Sequence, residues 1–256
     1  MYLIFTDEND VHYHYIKPYK GHKEPVNYIC KTGVNIFDNN IFNIIITLPI
    51  HMCMYHGQYC YVRVVNIITN DIHQPGGTTK VILSDRYYLF DSKTIRKFNI
   101  KVDQVIIGWA CKNGAVNFLD WWLKSGLPLE YDFLVLSFAS KYRHVNVLEW
   151  WLKSGLLLSL DNHPVFALLQ WNMATMNGSS LYDACCDGYV DVLEWWFNSN
   201  LPLEYSISEL LSVALQNGHV NVLTWFINNN FEVSLQYRMI VYYNRIKNNI
   251  KYYIGL

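Results

Sequence analysis

Residues 51–60, "HMCMYHGQYC", gather His51, Cys53, His56 and Cys60. Two imidazoles and two thiols so close together are a zinc donor set. Zinc sites space their ligands as C-x₂₋₄-C and H-x₃₋₅-H. His51 and His56 are separated by four residues, which fits; Cys53 and Cys60 are separated by six, which does not. On a helix over 50–56, His51 and Cys53 would point about 200° apart and could not share a metal. The spacing therefore predicts structural roles and no metal. Cys53 and Cys60 become small buried apolar residues, and the histidines surface or capping groups. A metal-binding or enzymatic N-terminal domain is the alternative.

Other catalytic patterns are absent from the sequence. It contains no G-x-S-x-G, no G-x-x-x-x-G-K-[ST], no H-E-x-x-H and no G-x-G-x-x-G. Pro75-Gly76-Gly77 is a turn with no helix pattern after it, so it is a poor phosphate cradle. Asp183 and Asp187 flank two cysteines, and such a pair on a helix is expected to be solvated. The chain is expected not to be an enzyme and to need no cofactor.

Composition sets the class. The 256 residues are 52% hydrophobic and 16% aromatic, with a formal charge of −1. There is ample material for a core and no basic face for nucleic acid. Arg238, Arg245, Lys247 and Lys251 near the end are expected on a solvated helix face. "MYLIFTDEND" lacks the basic start of a signal peptide. The longest apolar run, "IFNIIITLPI" at 41–50, is about half a membrane span. The six cysteines (30, 53, 60, 111, 185 and 186) show no disulfide framework. A soluble intracellular protein is expected, with no membrane and no nucleic-acid partner.

One string is written repeatedly: "VNFLDWWLKSG" (116–126), "VNVLEWWLKSG" (145–155), "VDVLEWWFNSN" (190–200) and "VNVLTWFINNN" (220–230). Upstream of each copy stands an alanine: Ala110, Ala139, Ala184 and Ala214, at offsets of 29, 45 and 30. The long interval places an insertion near 159–178. A period near 30 marks a solenoid of stacked helix pairs. Gly114, Gly188 and Gly218 stand where the first helix ends, because glycine takes the left-handed conformation cheaply. Arg143 holds that place in the second unit. The second helix is predicted to end at Gly126, Gly155, Asn200 and Asn230. Trp150 and Trp151 lie about 100° apart on it. A helix sandwiched between units must bury two faces, so the tandem tryptophans are expected to be buried.

These residues carry a resemblance. Gly218-His219 and Arg143-His144, Val147-Leu148, Trp150-Trp151-Leu152 and Gly155 resemble the second half of an ankyrin repeat. Ile107, Leu136, Leu181 and Leu211, with the four alanines, stand at the Leu and Ala of its first half. The Thr, Pro and His of that half are absent, and the period is short. The short period predicts clipped fingers at "LPLEYD" (127–132) and "LPLEYS" (201–206). The "WWLKSGLPLE" variant resembles ankyrin-repeat proteins of the giant amoebal DNA viruses of the mimivirus group. "KTGVNIFD" (31–38), "IHMCMYHGQYCYVRVV" (50–65) and "KVILSDRYYLFDSKTIRKFNI" (80–100) resemble motifs of the domain that precedes the repeats there. The resemblance implies a viral protein-interaction scaffold directed at host or viral proteins, in the host-cell cytoplasm or the virion.

The expected architecture is an α+β N-terminal domain over 1–100 and an all-α, ankyrin-like solenoid over 101–256. About four to five short repeats are expected. "VHYHYI" (11–16), "YCYVRVVNI" (59–67) and "KVILS" (80–84) read as strands, and "HQPGGTTK" (73–80) as a turn. Lys112, Tyr131, Lys141, Tyr142, Tyr182 and Tyr205 differ between units and are the expected contacts of an unidentified protein partner. Some viral ankyrin proteins act as adaptors of a ubiquitin ligase, but "YRMIVYYNRIKNNIKYYIGL" is too short for their F-box-like end. It reads as a capping helix on a monomer. Its apolar stripe (Leu235, Met239, Tyr242 or Tyr243, Ile246, Ile250) is expected to pack near Val222 and Phe226.

Overall fold

The computed structural model describes residues 2–16, 24–38, 59–68, 77–131, 134–156, 179–201 and 203–254. An antiparallel sheet comes first and helices follow, so the fold is α+β with a helical C-terminal part. The chain divides into two compact units, Met1–Asp132 and Phe133–Leu256. The expected boundary near residue 100 thus falls inside the first unit.

In the first unit, β1 (Tyr2–Thr6), β5 (Tyr61–Ile67), β6 (Thr78–Leu83) and β4 (Gly33–Asp38) lie side by side in that order. β7 (Tyr87–Tyr88) also pairs with β5. β2 (Val11–Ile16) and β3 (Glu24–Ile29) form a separate antiparallel ribbon. Alternation decides which way β6 faces: Thr79, Val81 and Leu83 are buried, while Thr78, Lys80 and Ile82 are exposed. Val81 and Leu83 join Ile4, Cys30, Phe37 and Val65 in one core cluster.

The strands read from the sequence at 11–16, 59–67 and 80–84 correspond to β2, β5 and β6. β1 gave no alternation because both of its faces are used. Ile4 belongs to the core cluster, while the Phe5 ring lies 5.6 Å from that of Trp109. The 159–178 insertion and most of the 73–80 turn lie outside the described residues.

Helix α1 (Ser92–Phe98) starts at Asp91, whose carboxylate accepts from the Lys93 N–H at 2.9 Å. Asp103 caps α2 (Gln104–Lys112) in the same way, accepting from Val105 and Ile106. α2 pairs with α3 (Val116–Lys124). This pair is built into the sheet unit. Tyr59 meets Trp109 edge-on at 4.8 Å, and Phe90 lies 5.5 Å from Phe118. Asn113 also donates to the Tyr59 carbonyl at 3.1 Å.

The second unit holds α4 (Leu134–Lys141), α5 (Val145–Ser154), α6 (179–187), α7 (Val190–Asn198), α8 (Ile207–Gln216), α9 (Val220–Asn228) and α10 (Leu235–Ile254). The four aligned alanines are buried, and each carbonyl accepts from the N–H five residues on. The donors are Ala115, His144, Tyr189 and His219, at 2.8–3.0 Å. This is the long bond of a Schellman turn, which needs a left-handed residue just before the donor. Gly114, Arg143, Gly188 and Gly218 supply it, with φ of 67°, 58°, 76° and 77°. Gly126, Gly155, Asn200 and Asn230 end the second helices, with φ of 75°, 74°, 58° and 60°.

A second device repeats beside it. Ser125, Ser154 and Ser199 donate to the carbonyls of Trp122, Trp151 and Trp196 at 2.7–2.8 Å. Each hydroxyl also accepts the N–H two residues on, at 3.2 Å. In the last pair Asn229 replaces the serine and donates to the Trp225 carbonyl.

The second aromatic of each pair (Trp122, Trp151, Trp196 and Phe226) is fully buried. Trp150, Trp195 and Trp225 are buried too, whereas Trp121 is only half-buried. Both positions bind across pairs. The Trp196 indole N–H donates to Ser140 Oγ at 2.9 Å, and that of Trp225 to Glu194 Oε1 at 3.2 Å.

The C-terminal helix corrects an expectation. α10 packs on α9 as foreseen, but through another face. Val241 is 7% exposed and Tyr237, Ile240 and Asn244 are half-buried, while Leu235 is 79% exposed and Met239, Tyr242, Tyr243 and Ile246 are exposed as well. The two faces lie on nearly opposite sides of the helix, about 165° apart. Counting apolar residues favoured the outer stripe, yet the smaller Val241 fits against α9. The side chain of Ile250 lies outside the described residues.

Candidate interaction surface

The first helices of the second unit (α4, α6 and α8) each bury one face on their partners and expose another. α4 and α6 are tied by the Ser180 hydroxyl, which donates to Ser137 Oγ at 3.0 Å. Tyr182 on α6 is 46% exposed and Tyr205 before α8 is 40% exposed. They line one concavity of about 240 Å³, together with Glu204, Ser206 and Glu209. Tyr205 is held edge-on to Phe197, with ring centroids 5.3 Å apart. A hydroxyl-bearing ring fixed by packing, beside carboxylates, can take a hydrogen-bonding or cationic group from a partner.

The same helices carry Lys141, Asp183 and Asp187. Burial raises the Asp183 carboxyl above its ordinary range, Lys141 opposes the rise and Asp187 adds to it. Asp183 is thus half-buried, while Asp187 is solvated as expected. Glu204 and Glu209 make the exposed surface acidic on balance.

The remaining expected contacts divide. Lys141 is exposed and Tyr142 half-buried. Tyr131 is half-buried and sits edge-on to Trp122 at 6.2 Å. Lys112 is a correction: it is 2% exposed. α2 is buried from Val105 to Lys112, because the sheet unit covers the face that the later first helices leave open. Lys112 is not on a partner-facing surface.

Of the possible metal ligands, His51, Cys53 and His56 lie outside the described residues. Cys60 is buried in the core, where its N–H donates to the Thr6 carbonyl. Burial pushes its thiol up to about 12, with Glu8 and Asp7 adding to the rise. A thiol so hard to ionise is a poor ligand and a poor nucleophile. Among the described residues no three His, Cys, Asp or Glu side chains are grouped to hold a metal. Among the same residues no helix is long and apolar enough to cross a membrane.

Two features gave no sequence signal. One is the Arg63 network of the sheet, whose partners are far apart in the chain. The other is a cleft between α1 and the turn after α3, lined by Arg96, Lys101, Trp121 and Leu127. The half-burial of Trp121 marks it.

No protein-family model, no curated protein and no solved structure matches the chain.

Proposed function

We propose that this chain is a non-enzymatic protein-interaction scaffold: an ankyrin-like array of short helical pairs behind a sheet domain, resembling the arrays of giant amoebal DNA viruses. Its partner is a host or viral protein, held on the exposed face of α4, α6 and α8. The observation that carries this reading is the Tyr182–Tyr205 concavity. Two exposed tyrosines, Tyr182 on α6 and Tyr205 just before α8, sit there with Glu204 and Glu209 beside them. Tyrosine offers large contact area with few torsions to freeze, so such a site binds at small entropic cost. The carboxylates favour a partner with lysine or arginine at the contact. The repeat reading is supported by the eight left-handed turn residues and the four buried alanines, which recur in register.

The test uses the full chain as bait for host-cell and viral proteins, beside a Tyr182→Ala/Glu209→Lys variant. A protein retained by the parent and lost from the variant is the expected result. The same proteins on both baits, or none on either, would overturn the proposal. Stoichiometric zinc in the purified protein would favour a metal-binding N-terminal domain instead.

A further inference from the structure

In the last helical pair the Trp225 ring meets the preceding second helix, and there its seat is filled. Phe197 of α7 stands 5.3 Å from Trp225 and 5.1 Å from Phe231 between ring centroids. Glu194, one turn earlier on α7, accepts the Trp225 indole N–H at 3.2 Å. Trp121 and Leu127 hold the same two positions in the first pair, six residues apart like Trp225 and Phe231.

No copy of the repeated string precedes Trp121 in the sequence. The seven-residue helix α1 stands there instead, bringing Ile95 and Arg96 to the wall. A cleft of about 420 Å³ is left, with Trp121, Leu127 and Pro128 on one side. The Trp121 indole N–H makes no hydrogen bond among the described residues. The Arg96 guanidinium lies 6.0 Å from its ring and forms no ion pair among the described residues. Lys101 on the rim is paired with Glu130 at 3.1 Å. The cleft is therefore apolar inside, with an exposed cation and an indole donor at its edge.

We propose that this cleft docks a helical segment of another protein that carries a carboxylate three residues before an aromatic side chain. The chain itself supplies the template, since Glu194 and Phe197 have this spacing and fill the equivalent seat on Trp225. In the cleft the aromatic ring goes between Trp121 and Leu127, as Phe197 goes between Trp225 and Phe231. The carboxylate accepts the Trp121 indole N–H and neutralises Arg96. This is helix-in-groove recognition with one ring as anchor and one charge setting the register. It is a second surface, separate from the Tyr182–Tyr205 concavity, and stands or falls without it.

The probe is a dye-labelled, end-blocked peptide, VDVLEWWFNSN, titrated into the full chain and followed by fluorescence anisotropy. Saturable binding is expected. Leu127→Asp and Arg96→Glu in the protein should each weaken it by about tenfold or more. The F197A and E194Q peptides should lose a similar factor. Both protein positions are exposed, so the variants should keep the parent's melting curve. No saturable binding, or equal binding to the parent and Leu127→Asp, overturns the proposal. A parent that self-associates in sedimentation and becomes monomeric as Leu127→Asp also overturns it, because the occupant would then be a second copy.

Discussion

The two compact units secure their buried polar groups in opposite ways. The sheet unit gathers them on one side chain. Arg63 of β5 is buried and donates to Asp10, Thr32 and the Ser84 carbonyl at 2.7, 2.8 and 2.6 Å. Those partners come from three turns, 53, 31 and 21 residues away. The helical unit instead repeats short bonds, five residues long at Ala139, Ala184 and Ala214 and three long at Ser154 and Ser199. Its longer bonds, Trp196 to Ser140 and Trp225 to Glu194, join one pair to another. One design concentrates the stabilising interactions and the other distributes them.

The largest effect expected is at the indoles between pairs. Trp196→Ala should cost about 3–5 kcal/mol, since it empties a fully buried site and strips a partner from Ser140. Trp121→Ala, at the half-buried first aromatic of the first pair, should cost about 1–2 kcal/mol. Urea denaturation of both variants measures the difference. Equal losses would mean that Trp121 is as closed in as Trp196.

Next comes the arginine. Arg63→Ala leaves Asp10 partly buried, with Arg86 as a weaker partner at 3.7 Å. Breaking a buried pair from one side costs about 3–5 kcal/mol, and the low end is expected because Asp10 keeps some solvent. A double-mutant cycle with Asp10→Ala should return a coupling above about 1 kcal/mol. A coupling near zero would show that the network does not concentrate stability at all.

The same contrast explains what the sequence displayed. The string with two tryptophans announced its own burial, because a local pattern repeated four times fixes helix phase, turn position and period. Arg143 was legible as an exception for the same reason. Arg63 carried no such signal: nothing near it in the chain names Asp10, Thr32 or Ser84. Lys112 misled because its position is open in later pairs and closed by the sheet in the first. The stripe on α10 misled because periodicity gives amphipathicity without saying which face has a neighbour. Of the proposed surface, Tyr182 and Tyr205 were legible as residues that differ between copies. Their meeting in one concavity was not, because it depends on the packing of α6 against the turn before α8.

Gly188→Ala sharpens the comparison inside the helical unit. A Cβ there would come within 2.5 Å of His219 Nδ1, at a φ of +76°. The left-handed backbone costs about 1–2 kcal/mol for a residue with a side chain, and the His219 ring must also move. A loss of about 2 kcal/mol is expected in thermal or urea melts. A neutral substitution would show that the turn tolerates any residue.

Buried thiols test the units by pH. Burial pushes Cys30, Cys60 and Cys185 up to about 12 from an ordinary 9.0. The folded state holds these protons longer than the unfolded one. Their stabilising contribution is therefore complete below pH 9 and lost as pH rises toward 12. Each thiol should cost about 1.4 kcal/mol per pH unit inside that window. Cys30 and Cys60 lie in the first unit and Cys185 in the second, so the sheet unit should lose stability faster. Urea melts at pH 8 and pH 10 under reducing conditions, repeated on Cys30→Ala, check the slope. An unchanged slope in that variant would remove Cys30 from the account.

The smallest effect is expected at Arg143, where the repeat pattern calls for glycine. Its φ of 58° costs backbone energy. Two contacts offset it: the guanidinium reaches Asp191 at 3.0 Å and lies 5.2 Å from the Tyr189 ring. Both Arg143 and Asp191 are largely exposed, so their pairing contributes only about 0.2–1 kcal/mol and weakens with salt. Arg143→Gly relieves the strain, removes these contacts and adds freedom to the unfolded chain by about 0.5–1 kcal/mol. The opposing effects nearly cancel, and a net change within about 0.5 kcal/mol of zero is expected in dilute buffer. In concentrated salt the pair is screened while the strain remains, so the variant should move toward the more stable side of the parent. Urea melts at two salt concentrations decide it. A loss above about 2 kcal/mol, independent of salt, would mean that Arg143 holds the turn by something other than the Asp191 pair. The second helical pair would then no longer count as a variation on the glycine turns of its neighbours.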